Sequence, residues 1–211
     1  MSETKTNSEK ELAIYALIKS PENLNQASHS EEILQAEIKG SSKGKIRVRK
    51  TTTDEGITFT QTVKVKPIKD SESLIDEATE ITSTISEEMF NAIFEVSNSR
   101  QDKVRHFFIM KDVTLNLHDD VLKSIQLPEM IYEVDVYKKP DGTISKYCKI
   151  DVELDNVLKY LKQNYIEIKE FNLKISVANL PINCTNPFIA STATDEQKQL
   201  LDQLYKHEFN M

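Results

Sequence analysis

Apolar and polar residues alternate with a period of two along much of the chain, and this alternation predicts a large antiparallel sheet. Side chains on a strand point to opposite faces in turn, and β-branched residues favour that pleated surface. Glycines in turn-forming sequences between several of the segments are typical of hairpins. We expect strands at residues 10–18, 33–38, 45–50, 58–66, 103–110, 112–117, 131–138, 148–154 and 172–177.

A period of three to four residues appears in three further segments, which we expect to be helices. Ser86 is a suitable N-cap because Glu87 and Glu88 follow it in what would be the first helical turn. Thr194 is a comparable N-cap for the last segment. The predicted helices cover residues 86–97, 157–165 and 195–209.

Charged residues gather on one face of five predicted strands. A solvated outer face is the usual meaning of such a pattern. Here, however, the cations and the carboxylates lie on different strands, and a sheet of this size tends to curl or close. The cations are Lys45, Arg47, Arg49, Lys64, Lys66, Lys103 and Arg105, and the carboxylates are Glu133, Asp135, Asp151 and Glu153. We therefore predict an α+β fold, an antiparallel β-barrel (tunnel) of about eight or more strands with helices packed on the outside.

Composition places this barrel in one domain. The chain has 211 residues, of which 38% are hydrophobic, which is enough for one sizeable core. Residues 1–9 are polar, so we expect a disordered N-terminal tail followed by a single domain over 10–211. The net charge of -7 would repel nucleic acid and anionic membranes. We expect no open nucleic-acid binding, and any anion must be bound locally.

Several other classes of site are not favoured. Cys148 and Cys184 are too few for a disulfide framework, so we expect reduced thiols and a cytoplasmic protein. The polar N-terminus and the lack of a long apolar run predict no membrane contact. The four histidines lack metal-ligand spacing, and the four glycines form no phosphate-binding loop. Oligomeric state stays open, a homodimer included.

Cations that converge on one cavity suit a polyanion, because guanidinium groups bind phosphate oxygens through paired, charge-assisted hydrogen bonds. Carboxylates on the opposite wall suit a hard cation such as Mg²⁺ or Mn²⁺, which prefers oxygen ligands and bridges to phosphates. A water activated there could attack phosphorus in line. These residue types therefore point to a phosphate-rich ligand.

The order of motifs resembles the CYTH, or triphosphate tunnel metalloenzyme, superfamily, which includes triphosphatases and class IV adenylate cyclases. The family's opening acidic strand corresponds to 11–18, its I-x-Q motif to Ile33 to Gln35, its V-R-x-R motif to Ile46 to Arg49 and its T-x-K motif to Thr62 to Lys64. Its K-x-R motif corresponds to Lys103 to Arg105, its E-x-D motif to Glu133 to Asp135 and its final E-x-E motif to Asp151 to Glu153. The helix at 86–97 also falls where the family has its first long helix. Together the matches cover about residues 11 to 154 in the family's order.

The resemblance implies two sets of ligand-binding residues. The phosphate-binding set is Arg47, Arg49, Lys64, Lys66, Lys103 and Arg105, and the metal-binding set, for Mg²⁺ or Mn²⁺, is Glu11, Glu80, Glu133, Asp135, Asp151 and Glu153. The first strand departs from the family because Ala13 and Tyr15 replace an acid and a lysine. Three interpretations stay open: a metal-dependent triphosphatase, a non-catalytic relative that binds a triphosphate, nucleotide or polyphosphate, and a structural or protein-binding module whose charges neutralise one another. No catalytic residue is assigned.

Overall fold

A computed structural model describes residues 4–39, 44–65, 76–97, 99–117, 123–163, 180–189 and 193–208. The strands are β1 (Thr4–Ile18), β2 (His29–Lys39), β3 (Gly44–Thr53), β4 (Gly56–Val65), β5 (Asp76–Thr84), β6 (Ser99–Leu117), β7 (Lys123–Lys138), β8 (Ile144–Glu153) and β9 (Cys184–Ile189). The helices are α1 (Glu87–Val96), α2 (Asp155–Gln163) and α3 (Asp195–Glu208), with a 3-10 helix at Pro21–Gln26. The predicted strand at 172–177 lies outside the described residues.

The described strands form one antiparallel sheet in the order β5-β4-β3-β2-β6-β7-β8-β1-β9. β1 is long enough to have different neighbours along its length. Its first half, residues 4–11, pairs with β5, while residues 11–17 pair with β8 and residues 14–18 with β9. The predicted α+β class, with a mainly antiparallel sheet and few helices, is confirmed at this level.

Four segments differ from the sequence-based expectation, one of which is β5, a strand outside the expected set. Residues 4–9, expected in the tail, form the start of β1, because their backbone pairs with the equally polar β5. β9 contains Pro187, which hides a strand pattern because proline cannot donate to a ladder. The two strands predicted at 103–110 and 112–117 are one strand, β6, with an irregularity at Asp112, whose φ is 54°. β6 and β7 therefore continue as a two-stranded arm beyond their other neighbours.

The apolar face of the sheet is covered by α1 and α2. Ser86 caps α1 by accepting a hydrogen bond of 3.2 Å from the amide of Met89. Phe90 of α1 packs on Ala36 and Val48, which alternate with charged residues of β2 and β3. Val157 of α2 belongs to the larger core, which is formed by β1, β6, β7 and β8. Burial of this face leaves the charged side chains on the opposite face of the same strands.

α3 contacts the other face. Leu200 of α3 packs near Tyr137 and Tyr147. Tyr137 follows Val136 on β7 and is two residues from Asp135, so Tyr137 and Asp135 share the charged face, opposite to Val136. The helix therefore lies beside the charged face, in contrast to the expectation that all helices pack outside. Within the described residues, no helix is both long and apolar enough to cross a membrane.

Candidate functional site

The charged face lines a cavity of about 310 Å³ to which all of the strands β1 to β8 contribute. Its polar lining includes seven cations and five carboxylates. The cations are Lys45, Arg47, Arg49, Lys64, Lys103, Arg105 and Lys149, and the carboxylates are Glu11, Glu37, Glu80, Asp135 and Asp151. The cavity thus has an excess of positive charge although the whole chain carries -7. A local excess of this kind can attract an anion that the protein as a whole would repel.

Ion pairs hold one side of the cavity. Glu80 of β5 lies between Arg47 and Lys64, at 3.2 Å and 2.8 Å. Lys45 donates to Glu37 across the β2–β3 pair at 2.6 Å. Burial alone would raise the pKa of Glu37, but Lys45 and the neighbouring cations lower it below its usual value. Glu37 therefore stays ionised, and the contacts of Glu37 and Glu80 fix the orientation of the cations on β3 and β4.

Asp135 is the centre of a second, more deeply buried group. Its carboxylate accepts a hydrogen bond of 2.5 Å from Lys103 and two from Arg105, at 2.8 Å and 3.0 Å. Burial opposes its charge, yet these two cations hold the pKa of Asp135 well below its usual range. Burial also lowers the pKa of Lys103 to about 7, although Asp135 opposes this. Both oxygens of Asp135 are satisfied by protein donors.

Arg49 is held differently. One terminal nitrogen donates to the side-chain oxygen of Gln35 at 3.2 Å, and Gln35 donates in turn to Gln101 at 2.8 Å. Its Nε is buried and has no hydrogen-bond partner among the described residues. Burial, together with Arg47 and Arg105, lowers the pKa of Arg49 to about 9. An unsatisfied guanidinium N–H on a cavity wall is a donor available to an anionic ligand.

Three carboxylates from three adjacent strands form what we call the carboxylate trio: Glu11 of β1, Glu133 of β7 and Asp151 of β8. Each offers one ligand atom, and these atoms all lie within 4.8 Å of one another. Burial, and to a smaller extent the neighbouring carboxylates, raises the pKa of Glu133, although its ion pair with Arg105 opposes this. Carboxylate oxygens gathered in this way are the donor set of a divalent cation.

Asp151 has an incomplete hydrogen-bond shell. Its Oδ2 accepts from Lys149 at 2.5 Å, but its Oδ1 is buried and has no hydrogen-bond partner in the described part of the chain. Burial would lower the pKa of Lys149, but Asp151 and Glu11 raise it well above its usual value. The trio therefore fits Mg²⁺ or Mn²⁺, since a cation would supply the partner that the buried Oδ1 lacks.

The predicted site residues divide into three groups. Of the predicted phosphate-binding residues, five line the cavity and Lys66 lies outside the described residues; the five are Arg47, Arg49, Lys64, Lys103 and Arg105. Of the predicted metal-binding residues, Glu11, Glu133 and Asp151 come together, whereas Glu80 and Asp135 bind protein cations. Glu153 lines a neighbouring cavity of about 480 Å³ that also includes Glu11, Glu80 and Asp155.

Sequence reasoning left several cavity residues out of the predicted site. Lys149 shares a strand face with Asp151, so the same alternation that selected Asp151 also indicates Lys149. The same alternation places Lys45 on the charged face, although the predicted phosphate-binding set omits it, and it also indicates Glu37. Gln35 and Gln101 carry no charge, and their facing positions on β2 and β6 depend on strand register, which the sequence does not fix.

Comparison with known proteins finds solved structures of low similarity. No protein family and no curated protein matches the chain. A solved structure of a conserved hypothetical protein from Pyrococcus furiosus is 13% identical, with a TM-score of 0.42, over 81% of this chain and 99% of that chain. The PH1819 protein of Pyrococcus horikoshii is 12% identical, with a TM-score of 0.41, over 80% and 96% of the two chains. The PH1012 protein of the same organism is 14% identical, with a TM-score of 0.42, over 82% and 99%. We draw no conclusion about function from similarity at this level.

Proposed function

We propose that the charged cavity binds a phosphate-rich ligand, a triphosphate, nucleotide or polyphosphate, in a divergent member of the CYTH superfamily. One observation carries the proposal: the cavity has more cations than carboxylates, and it includes Arg49, whose buried Nε has no partner among the described residues. Phosphate oxygens are the acceptors that best suit a buried guanidinium. The ligand would complete the hydrogen bonding of Arg49 and neutralise the excess charge.

A tunnel is the form of this site that we propose. Because β1 pairs with β8 at one edge and with β5 at the other, the pairings connect β1 to β8 in a circuit. Such a circuit supports a closed barrel with the cavity as its interior. An enclosed, low-dielectric setting would strengthen each contact between the cations and phosphate oxygens.

We further propose that the carboxylate trio holds Mg²⁺ or Mn²⁺ beside the phosphates. When bound, such a cation can polarise phosphoryl oxygens and lower the pKa of a bound water. The residues of the chain would then orient the ligand: Arg49 through its unpaired N–H, and Arg105 from between the trio and Asp135. Hydrolysis is the first interpretation, and binding without hydrolysis is the second, favoured by the apolar Ala13 beside Asp151.

A third interpretation, a self-neutralising ion-pair network without a ligand, is favoured by one specific observation. Arg47, Lys64, Lys103 and Arg105 each already contact a carboxylate of the chain. Balanced buried charges can satisfy one another in this way. The unpaired polar atoms of Arg49 and Asp151 are what this interpretation leaves unexplained.

A combined binding and turnover screen separates the three interpretations. Thermal unfolding and phosphate release are measured with tripolyphosphate, nucleoside triphosphates and thiamine triphosphate, with and without Mg²⁺ or Mn²⁺. Stabilisation with phosphate release indicates a triphosphatase, and stabilisation alone indicates a binding protein. Absence of both effects for every ligand would leave only the ion-pair network.

A further inference from the structure

An exposed aromatic pair lies at the end of β2. The rings of His29 and Phe107 stack with their centroids 4.1 Å apart and an interplanar angle of 8°. His29 is exposed and Phe107 is half-buried. Ser28 holds the pair, because its amide and its hydroxyl both donate to the carbonyl of Phe107, at 2.7 Å and 2.9 Å, and the hydroxyl lies 3.3 Å from Nδ1 of His29. The rings are therefore oriented before any ligand arrives.

This aromatic pair lies on the same face of the sheet as the cavity. Lys103, Arg105 and Phe107 are two residues apart along β6, so their side chains share one face of the sheet, and Lys103 and Arg105 line the cavity. Two residues along a strand span about 7 Å, so Phe107 lies about that distance from Arg105 along β6. In register, Phe107 faces His29 on one side and Glu133 of the carboxylate trio on the other. The pair therefore lies one step beyond the residues that line the charged cavity, next to the proposed metal site.

The other ring contacts of the described residues differ from this one. Phe90 packs with Phe59 and Phe94 beneath α1, on the opposite face of the sheet. Tyr15 stacks on Phe188 with a longer separation, 5.9 Å, and is buried. In each of these groups one ring, that of Phe90 or of Tyr15, is buried. The His29–Phe107 pair has an exposed ring, so a third ring can extend the stack.

We propose that the His29–Phe107 pair stacks on the base of a nucleoside polyphosphate whose phosphates occupy the charged cavity. This inference rests on the proposed function and makes the ligand more specific. A ligand of bare phosphate has no use for an aromatic pair, whereas a base gains stacking on it. Stacking needs no particular hydrogen-bond pattern, so both purines and pyrimidines would bind, purines with the larger overlap.

The test compares ATP, CTP and tripolyphosphate by calorimetric titration in the presence of Mn²⁺. For Phe107→Leu, which keeps an apolar side chain but loses the ring, we expect ATP affinity to fall about tenfold, CTP affinity to fall less, and tripolyphosphate affinity to stay within about twofold. His29→Ala, at an exposed position, should act in the same direction. The fluorescence of a 2-aminopurine nucleoside triphosphate should be quenched by the wild type and less by either variant.

Ile109→Ala is the matched control, because Ile109 is exposed and follows Phe107 on the same face of β6 without contributing a ring. It should leave all three affinities unchanged. Equal losses for Ile109→Ala and Phe107→Leu, or unchanged ATP affinity in both ring variants, would overturn the stacking proposal while tripolyphosphate binding still stood. If the wild type binds neither ATP nor tripolyphosphate, the proposed function fails and the stacking proposal with it.

Discussion

Two buried aspartates on adjacent strands have nearly the same exposure and very different surroundings. Asp135 on β7 and Asp151 on β8 are each 1% exposed. Asp135 accepts three hydrogen bonds from Lys103 and Arg105, which use both of its oxygens. Asp151 accepts from Lys149 on one oxygen, and its other oxygen has no hydrogen-bond partner among the described residues.

The difference separates structural charge from charge that a ligand can use. A buried carboxylate with both oxygens hydrogen-bonded to protein donors contributes to the fold and has little to offer a ligand. A buried carboxylate oxygen without a partner costs free energy, and such atoms concentrate at binding sites. By this criterion Asp135 holds the cavity wall in place, whereas Asp151 and Arg49 face the proposed ligands.

The largest effect is expected from Asp135→Asn. The amide would remove the carboxylate that Lys103 and Arg105 share and leave the buried Lys103 without its charged partner, although Arg105 keeps its ion pair with Glu133. Breaking a buried ion pair in this way typically costs about 3–5 kcal/mol. Urea unfolding at neutral pH would show this as a lower midpoint. A loss below about 1 kcal/mol would mean that solvent reaches this group and would remove the contrast with Asp151.

Asp151→Asn should act mainly on metal binding. The amide keeps a similar shape and can still accept from Lys149, but the trio loses one charged ligand. In the wild type, Mn²⁺ at about a hundred times its dissociation constant should stabilise the fold by about 2.7 kcal/mol, and most of this should disappear in the variant. Thermal unfolding with Mn²⁺ and with EDTA measures the difference. Equal stabilisation of both proteins by Mn²⁺ would place the ion elsewhere.

Acid should expose the role of Asp135. Its folded-state pKa lies well below the usual value, so its contribution to stability is present above the unfolded pKa of about 3.9 and is lost as pH falls below it. Wild-type stability should therefore fall more steeply between about pH 5 and pH 3 than that of Asp135→Asn, which lacks the titrating group. Urea unfolding across this range gives both slopes. Parallel slopes would contradict the assignment.

The smallest effect is expected from Lys138→Ala. Lys138 lies 3.6 Å from Glu32 and 3.8 Å from Asp102, whose side chains are 66% and 39% exposed. Such solvent-screened pairs contribute about 0–1 kcal/mol. The same urea unfolding assay that detects Asp135→Asn should show little change here. A loss as large as that of Asp135→Asn would show that burial does not distinguish the two groups.

The sequence predicted which strand faces carry charge, but not which charges meet. Period-two alternation places Arg47, Arg49, Lys103 and Arg105 on one face without any knowledge of the fold, and all four line the cavity. That Asp135 faces Arg105, and Asp151 faces Ala13, depends on cross-strand register, which turns and core packing set. The distinction between a satisfied and an unsatisfied aspartate therefore appears only in three dimensions.

Two further limits of the sequence have physical causes. Residues 4–9 have no apolar face, so their composition suggests a tail, yet their backbone pairs with a β5 segment that is similarly polar. Hydrogen bonding between two polar strands leaves no hydrophobic pattern to detect. β9 is interrupted by Pro187, which argues against a strand unless the strand is at an edge, and β9 is the last strand of the sheet.

The most direct test is a titration of tripolyphosphate into the wild type, Arg49→Ala and Lys50→Ala. Arg49 lines the cavity, whereas the adjacent Lys50 points to the opposite face, with its ammonium 6.0 Å from the ring centroid of Phe59. We expect the wild type and Lys50→Ala to bind alike and Arg49→Ala to bind about 10-fold to 100-fold more weakly, since hydrogen bonds to charged groups contribute about 1.5–3 kcal/mol. Equal affinities for all three proteins, or no binding by a folded wild type, would contradict the account.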